Sequence, residues 1–503
     1  MHPMTSADVL KLLESEGLPE GLKASVIQLF EAIQQGHTAQ QLSNEDTDLW
    51  IQTLAKSDLS TLFAINHSAL QIRRHFAQES RVAEALKKLS SHPALNISID
   101  PMQLMPHADT SQQKAITGAA SQRLAIVTGG PGTGKTTTAA AIVAAKRTLF
   151  QRLPRISLVA PTGKAAARLT ESFQAATAKM PPIELEPLVA TTIHRQLKEL
   201  NSADIVLVDE ASMVSLDLFD QLLKSLAEDA HLILMGDPNQ LASVEAGSIL
   251  KVITESSTLS GHWFQLTQRH RIQGQEALAQ LQDLCLLGDS DRFIQGLKDL
   301  GIFWESKQRV DHLEQTLLAG YRKYFDDIQR TVVPASPNFQ CLTAISEGTG
   351  GRRMINHLAQ AETQRLGLNG FGERLLVTEN QPGIGVFNGD IGVVIDAFDS
   401  GNPRVQFDNI DQPLRKNQLG SVESAWAISI HRSQGSEYES VLICLPEPAS
   451  ISSRFKPSRE LLYTALTRAK KSVQLFATET MIDQAISQKT QRVTCLDHFL
   501  NVS

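Results

Sequence analysis

The stretch AIVTGGPGTGKTTT, residues 125–138, joins a short apolar run to a glycine-rich turn that ends in Lys-Thr. It fits the pattern G-x-x-x-x-G-K-[ST], which connects a buried strand to the start of a helix. Glycines let backbone N–H groups wrap a phosphate, and the helix amino terminus adds a favourable field. We therefore expect a nucleotide-binding α/β domain built around this turn.

The residues of this turn have separate expected roles. The ammonium of Lys135 is expected to reach the β- and γ-phosphates of ATP, and the hydroxyl of Thr136 to bind Mg²⁺. The full set of expected nucleotide contacts in the turn is Gly129, Gly130, Pro131, Gly132, Thr133, Gly134, Lys135, Thr136 and Thr137.

A second motif, IVLVDEAS at residues 205–212, supplies two carboxylates. Asp209 ends a buried strand, where it can hold the Mg²⁺ shell, and Glu210 beside it can orient and deprotonate the attacking water. The two motifs together predict an NTPase. They do not discriminate further, because kinases, switches, pumps and motors share them.

The composition is that of an ordinary globular protein with two or three domains. The chain has 503 residues, of which 42% are apolar and 20% charged, and a net charge of −7, which disfavours a histone-like protein. No apolar stretch approaches the eighteen or so residues of a membrane span, and no signal peptide is recognisable, so we expect a cytoplasmic protein without membrane contact. The cysteines are far apart and are expected to be structural thiols.

Periodicity divides the chain into three parts. Residues 1–105 contain helical patterns such as RVAEALKKLSS (81–91) and predict an all-helical domain that docks partners. Residues 106–265 alternate apolar β-rich runs with helices, which predicts a first domain with a parallel sheet. Residues 266–503 contain a second such series: FQCLTAIS, ERLLVTEN, AWAISIH, SVLICLP and SVQLFAT. Within it, alternation in GDIGVVIDAFDSGNPRVQFDN (389–409) predicts hairpins and a small SH3-like insertion at about 385–420.

Three residues outside the two motifs can act on the γ-phosphate. Gln240, in GDPNQLASVEAGSIL (236–250), follows a strand of the first series. Arg271 in LTQRHR and Arg468 in ELLYTALTRAKK lie far downstream, where a single α/β unit does not need cations. If the second unit closes over the nucleotide, Arg468 becomes an arginine finger supplied by the same chain. Taken alone, either arginine can equally be a surface salt-bridge residue.

Ten segments in order resemble those of superfamily-one helicases of the RecD type. They are TSQQKA, GGPGTGKTTT, APTGKAAARL, TTIHRQL, LVDEASM, GDPNQLASVEAG, LTQRHR, FNGDIGVV, AISIHRSQGSEYESV and LLYTALTRAK, spread over roughly residues 110–475. LQIRRHFAQESRVAEAL (70–86) and FQCLTAISEGTGGRRMIN (339–356) are similar to RecD subunits, the alpha subunits of exodeoxyribonuclease V, rather than to stand-alone RecD-like helicases.

The resemblance implies two tandem RecA-like P-loop domains and assigns roles to further residues. Gln112 would contact adenine, and Gln240, Arg271 and Arg468 would sense or stabilise the γ-phosphate. Gly435 and Glu437 would contact the nucleotide. The implied DNA contacts are Thr162, Gly163, Lys164, His194, Asn388, His431, Ser433 and Gln434. His194 can equally be a hydrogen-bonded helix-cap residue.

The resemblance also implies a function. An ATP-driven 5′-to-3′ translocase would separate strands at duplex ends, in a heterotrimer whose beta subunit holds a second motor and the nuclease and whose gamma subunit reads recombination signals. A stand-alone helicase and a nucleotide-gated clamp remain alternatives. An intrinsic nuclease is disfavoured, because no carboxylate constellation other than Asp209 and Glu210 suits metal-dependent hydrolysis.

DNA binding is expected to depend on the backbone rather than on the bases. Aromatic residues make up only 5% of the chain, so an extensive stacking platform is not expected. Phe387, Tyr438 and Trp426 are candidates for stacking, with buried packing as the alternative for each. A motor that steps over any sequence is expected to hold phosphates.

Overall fold

A computed structural model describes residues 13–16, 18–97, 99–182, 188–270, 275–330, 338–368, 370–396, 401–408, 410–447, 455 and 457–502. These residues form an amino-terminal region, two parallel sheets and an antiparallel sheet. No helix in these ranges is both long and apolar enough to cross a membrane. The four cysteines are buried free thiols.

The amino-terminal region combines helices with a small antiparallel sheet. Its helices are α1 (Lys23–Gln34), α2 (Asn44–Leu54) and α3 (Arg73–Ser90). Strands β1 (Gln40–Gln41), β2 (Phe63–Asn66) and β3 (Ala69–Ile72) lie in the order β1-β3-β2. The region is helical as expected, but the prediction of an all-helical domain needs this correction. Such short strands are too brief to reveal themselves by alternation in the sequence.

The first sheet is parallel, as the alternation of strand and helix predicted, and it has six strands. The strands are β4 (Leu124–Gly129), β5 (Ile156–Ala160), β6 (Thr191–Thr192), β7 (Ile205–Val208), β8 (His231–Gly236) and β9 (Trp263–Leu266), in the order β6-β5-β7-β8-β4-β9. The surrounding helices are α4 (Pro101–Leu104), α5 (Thr110–Ala120), α6 (Lys135–Arg147), α7 (Gly163–Thr177), α8 (Ile193–Gln196), α9 (Leu216–Ser225) and α10 (Ile249–Glu255).

Both faces of this sheet are covered. Leu124 and Ile126 of β4 belong to one apolar cluster, and Ala125 and Val127 between them belong to another. Successive side chains of a strand point to opposite faces, so the two clusters are the two sides of one sheet. This burial explains why the strands appear in the sequence as continuous apolar runs.

Ten strands follow β9 in the described residues, in the part of the chain after Leu266 that we call the second half. They are β10 (Trp304–Glu305), β11 (Phe339–Thr343), β12 (Arg374–Val377), β13 (Ile391–Val394), β14 (Arg404–Phe407), β15 (Leu414–Arg415), β16 (Val422–Ser424), β17 (Ala427–Ser429), β18 (Tyr438–Leu445) and β19 (Ala469–Ala477). The helices are α11 (Glu276–Leu287), α12 (Ser290–Asp299), α13 (Val310–Arg330), α14 (Arg352–Arg365), α15 (Arg459–Thr467), α16 (Glu479–Ser487) and α17 (Leu496–Asn501). A second parallel sheet has the order β10-β19-β18-β11-β17, so the prediction of two parallel sheets is confirmed.

The other five strands form a separate antiparallel sheet with the order β15-β14-β13-β12-β16. It has its own small core, which includes Leu375, Val394 and Phe407. The segment ERLLVTEN, expected in the second parallel series, contains β12 and is central in this sheet instead. A short apolar run does not reveal whether its neighbours are parallel or antiparallel. The sheet begins at Arg374 and ends at Ser424, beyond both limits of the predicted insertion.

The carboxyl-terminal segment packs against the first half of the chain. Leu496 and Leu500 of α17 share an apolar cluster with residues of α3 and α9. The buried carboxylate of Glu79 accepts hydrogen bonds from the side chains of Thr38 and Thr494. The prediction of a second domain over residues 266–503 did not include this packing of the last helix against the first half of the chain. A sequence pattern can indicate a terminal helix, but it does not indicate what the helix packs against.

Candidate nucleotide site

The glycine-rich turn lies between β4 and α6, as its pattern requires. Gly132 and Gly134 have φ angles of 73° and 77°, in the left-handed region that glycine adopts without a Cβ penalty. The ammonium of Lys135 donates hydrogen bonds to the carbonyl oxygens of Gly129 at 2.8 Å and Gly130 at 3.1 Å. These contacts hold the lysine across the turn at the carboxyl edge of the first sheet.

The turn opens onto a cavity of about 300 Å³, which we call the nucleotide cavity. Both halves of the chain contribute to its wall. The lining residues are Pro131, Gly132, Thr133, Gly134, Lys135, Thr136, Thr137, Ala165, Arg168, Ser172, Asp209, Glu210, Gln240, Gly435, Glu437 and Arg468. Most of the predicted nucleotide contacts are therefore brought together here, and Gly129 and Gly130 lie just beside them.

The two carboxylates at the end of β7 face this cavity. Burial, reinforced by the neighbouring Glu210 carboxylate, raises the pKa of Asp209 to about 6. The backbone N–H of Glu210 donates to Asp209 Oδ1 at 2.8 Å. Glu210 itself has a φ of 49°, which is uncommon for a residue with a side chain and costs on the order of 1–3 kcal/mol. Such strain clusters at functional sites, and here it directs the second carboxylate into the cavity.

Arg468 of the second half reaches the first sheet. It is almost fully buried, and its Nη2 donates to Gln240 Oε1 at 3.0 Å while its Nη1 donates to the carbonyl oxygen of Ser436 at 3.1 Å. Five residues earlier in the chain, the Tyr463 hydroxyl donates to Asp237 Oδ2 at 3.0 Å. These contacts place the guanidinium at the end of β8, where Gln240 lies.

Arg271 lies outside the described residues, but its neighbour His270 is at the nucleotide site. The His270 backbone N–H donates to the carbonyl oxygen of Gly132 at 2.7 Å, and its Nε2 lies 2.7 Å from Asp109 Oδ2. Burial alone would raise the pKa of Asp109, but hydrogen bonds from Ser111, Gln112 and His270 outweigh it and lower the pKa. The LTQRHR segment therefore packs against the glycine-rich turn.

Gln112 does not present its amide to a nucleotide in this conformation. The side chain has no exposed surface. Its Oε1 accepts from the backbone N–H of Asp109 at 3.0 Å, and its Nε2 donates to the carbonyl oxygen of Thr133 at 3.1 Å. In this conformation Gln112 links the start of α5 to the glycine-rich turn, because the capping box draws the amide inward. Its contact with adenine stays a prediction.

The predicted DNA contacts divide into two groups. Thr162 caps α7, Gly163 lies under the Phe387 ring and Lys164 lines a second cavity of about 480 Å³ between the two halves of the chain. Three other predicted DNA contacts complete this first group, and their side chains are exposed: His194, Asn388 and His431.

The second group points inward. Ser433 has no exposed surface and donates to the carbonyl oxygen of Ile430 at 2.7 Å. Gln434 is 8% exposed, and its Nε2 donates to the carbonyl oxygen of Leu241 at 2.9 Å. These hydrogen bonds link the halves of the chain and support the loop of Ser433 and Gln434, and the DNA contacts of both residues stay predictions. Among the stacking candidates, Trp426 is fully buried, and Phe387 and Tyr438 are half-buried.

Comparisons with known proteins agree with this architecture. An AAA domain family model matches residues 107–308, and a UvrD-like helicase C-terminal domain model matches residues 424–476. The RecBCD enzyme subunit RecD of Mycolicibacterium smegmatis is 33% identical over 487 residues, covering 90% of this chain and 86% of that protein. The chain belongs to the RecD family. It is an ATP-dependent DNA helicase of superfamily one.

Other relatives cover the chain to different extents. The RecD subunit of Haemophilus influenzae is 29% identical over 530 residues, which cover 87% of this chain and 81% of that protein. The ATP-dependent RecD2 DNA helicase of Deinococcus radiodurans is 28% identical over 455 residues, which cover 84% of this chain but 58% of that protein. The chain thus matches RecD subunits over most of their length and RecD2 over a part.

Sequence reasoning missed several residues of this RecD family site. Arg168 stands in the quoted segment APTGKAAARL, and its position on the nucleotide cavity could have been suspected from the spacing after Lys164 on one helix. Asp237 and Tyr463 also stand in quoted segments, but their hydrogen bond joins residues from different halves of the chain. A local pattern contains no signal for such a pair.

Proposed function

We propose that the chain is a 5′-to-3′ translocase on single-stranded DNA and the alpha subunit of a helicase–nuclease complex of the RecBCD type, acting in double-strand-break repair and recombination. The observation that carries this proposal is the composite nucleotide cavity, with Lys135 and Glu210 from the first half and Glu437 and Arg468 from the second. A site divided between two domains makes their closure depend on the nucleotide, and repeated closure is motion.

Different residues of the cavity have different roles in ATP hydrolysis. Lys135 holds the β- and γ-phosphates, while Gln240 and Arg468 stabilise the charge that spreads over the γ-phosphoryl oxygens. Glu210 orients the attacking water and takes its proton. Thr136 and Asp209 line the same cavity and provide the oxygen donors that Mg²⁺ prefers, so they fit this ion. When bound, Mg²⁺ supplies charge neutralisation of the phosphates.

The larger cavity supports a path for single-stranded DNA. It lies between α7 and the second half of the chain. Lys164 and Lys470 contribute cations and Phe387 an aromatic ring to a wall that also contains carboxylates, among them Glu171 and Glu439. Thr162, Gly163 and Lys164 would hold phosphates there, and the exposed His194, Asn388 and His431 would extend the path.

The amino-terminal region is proposed to dock the beta and gamma subunits. Leu49 and Ile51 of α2 and nearby Leu62 are exposed apolar side chains, a feature of surfaces that bind other proteins. The higher identity to a RecD subunit, 33% against 28% for RecD2, supports a subunit over a stand-alone helicase. Such a complex would act in the cytoplasm.

The test is unwinding of duplexes with a 5′ or a 3′ single-stranded tail, by the chain alone and co-purified with its candidate subunits. Lys135→Gln is the inactive control. Unwinding confined to the 5′-tailed substrate is expected, together with ATP hydrolysis stimulated by single-stranded DNA. Hydrolysis without stimulation in the complex would favour a nucleotide-gated clamp, and full activity of the isolated chain would favour a stand-alone helicase.

A further inference from the structure

Arg168 lines the nucleotide cavity without a role in the reaction described above. It lies on α7, and its guanidinium forms an ion pair with the Glu437 carboxylate. Arg168 follows strand β5 of the first parallel sheet, and Glu437 immediately precedes strand β18 of the second. The ion pair therefore crosses the contact between the two motor domains at the edge of the nucleotide cavity.

The same residues also line the larger cavity between the domains. Arg168, Gly435 and Glu437 belong to the walls of both cavities. Lys164, one turn before Arg168 on α7, lines only the larger one. The ion pair is thus part of a partition with the nucleotide on one side and the proposed path for single-stranded DNA on the other.

Arg168 and Glu437 each have further charged neighbours at this partition. Burial disfavours the charged form of Arg168, but the carboxylates of Glu437, Glu210 and Asp209 outweigh it and raise the pKa of the guanidinium. Glu437 has an alternative partner, since Lys470 Nζ lies 3.7 Å from its Oε2. Glu437 can therefore keep a cationic neighbour when Arg168 turns to another anion.

We propose that Arg168 couples the nucleotide cavity to the contact between the motor domains through its ion pair with Glu437. The inference rests on the proposed function, since it concerns the same motor. A terminal phosphate in the cavity offers Arg168 a second anion for its planar guanidinium. The link to Glu437 then differs between nucleotide states, and the wall of the larger cavity changes with it.

The experiment compares ATP hydrolysis with and without a long oligo(dT), using the full chain co-purified with its partner subunits. The variants are Arg168→Gln, Arg168→Lys, Glu437→Gln and the double variant Arg168→Gln/Glu437→Gln. Arg152→Gln is the matched control, because Arg152 forms an ion pair with Asp204 at 2.7 Å in the same domain but lines neither cavity. Binding of oligo(dT) and the thermal midpoint are measured for each variant.

We expect Arg168→Gln to lower the ratio of stimulated to unstimulated rates by about tenfold, through kcat, with KM for ATP changed less than about threefold. Arg168→Lys keeps the charge but loses the planar fork, so it falls between wild type and Arg168→Gln. The double variant loses no more stimulation than the worse single variant, because both substitutions break one link. Arg152→Gln behaves as wild type.

An unchanged stimulation ratio in both Arg168 variants would overturn the inference. So would losses that multiply in the double variant, because the two residues would then act separately. Either result leaves the proposed function intact as long as the wild type is stimulated. A wild-type complex that oligo(dT) does not stimulate would instead overturn the proposed function, and the inference with it.

Discussion

The two edges of the first parallel sheet contain similar side chains in opposite surroundings. Helix α6 begins at the carboxyl edge of the sheet with Lys135, which lines the nucleotide cavity with Asp209 and Glu210. These polar groups face the open space of the cavity, and Arg468 of the second domain lines the same cavity. The edge is therefore ready to receive a charged ligand.

The amino edge contains a lysine of the same helix that is fully enclosed. Lys146 has no exposed surface, and its Nζ donates to the carbonyl oxygen of Ala120 at 3.2 Å and lies 3.0 Å from His231 Nδ1. Burial lowers the pKa of Lys146 to about 7. Burial, with the nearby charge of Lys146, lowers the pKa of His231 to about 3.

Lys135 and Lys146 are the same type of residue and lie on the same helix, so neither property explains why only one of them has a role in the reaction. Both ammonium groups donate to backbone carbonyl oxygens. Only Lys135 also faces a cavity large enough for phosphates, and this cavity needs the second domain for part of its wall. We therefore expect substitutions at the carboxyl edge to change hydrolysis and substitutions at the amino edge to change stability.

The largest effect is expected where the second domain completes the carboxyl edge. Arg468→Lys keeps a cation but removes the planar fork that contacts Gln240, and should lower the rate of hydrolysis stimulated by single-stranded DNA by about 10³-fold or more. Steady-state kinetics measure the change, with the thermal midpoint as a check on folding. A folded variant within tenfold of wild type would show that hydrolysis does not depend on the Arg468 guanidinium.

The next effect concerns the strained carboxylate. Glu210→Gln keeps the size of the side chain and removes the base, so hydrolysis should fall by about 10²- to 10⁴-fold. Binding of a fluorescent ATP analogue should remain close to that of wild type. Equal loss of binding and hydrolysis would instead assign Glu210 to nucleotide affinity.

The two lysines of α6 give the most direct form of the comparison. Lys135→Met should lower hydrolysis by about 10²-fold or more, because a preorganised cation at the phosphates is lost. Lys146→Met should leave the rate per folded molecule within about threefold, because its position is remote from the chemistry. A similar loss of the rate of hydrolysis in both variants would contradict the different roles of the two edges.

The remaining effect is on stability rather than on the rate of hydrolysis, and it depends on pH. Burial lowers the pKa of Lys146 from an ordinary value of 10.5 to about 7 in the folded chain, so between these pH values the unfolded chain binds more protons. Wild-type stability should therefore gain from this group as the pH rises from about 7 to about 10, by on the order of several kcal/mol. Urea unfolding at a series of pH values measures it. Lys146→Met should remove this gain, and an identical pH dependence in both proteins would contradict the assignment.

Much of the fold and the central part of the site could be predicted because their signals are local. The glycine-rich turn and the pair Asp209–Glu210 each follow a strand of their own, and parallel strands bring such turns to one edge of a sheet. The placement of β12 could not be predicted in this way. Its four residues form the same buried run that a parallel strand would show.

For three residues of the site, the direction of the side chain could not be predicted from the sequence. Gln112, Ser433 and Gln434 stand in segments whose family is recognisable, but their side chains bind backbone groups inside the protein. A motif fixes the position of a residue in the chain and leaves the direction of its side chain to the surrounding packing. Hydrogen bonds to buried carbonyl groups decide that direction, because an unpaired buried polar group is costly.

The sequence by itself determined that this chain has a phosphate-binding turn, two carboxylates beside it and two series of parallel strands, since each is encoded within a few consecutive residues. Only the tertiary structure decided that Arg468 meets Gln240, that Arg168 meets Glu437 and that the last helix returns to the first domain. Those contacts join residues that are far apart along the chain. They depend on how whole domains pack, and domain packing minimises the free energy of the entire chain rather than of any segment.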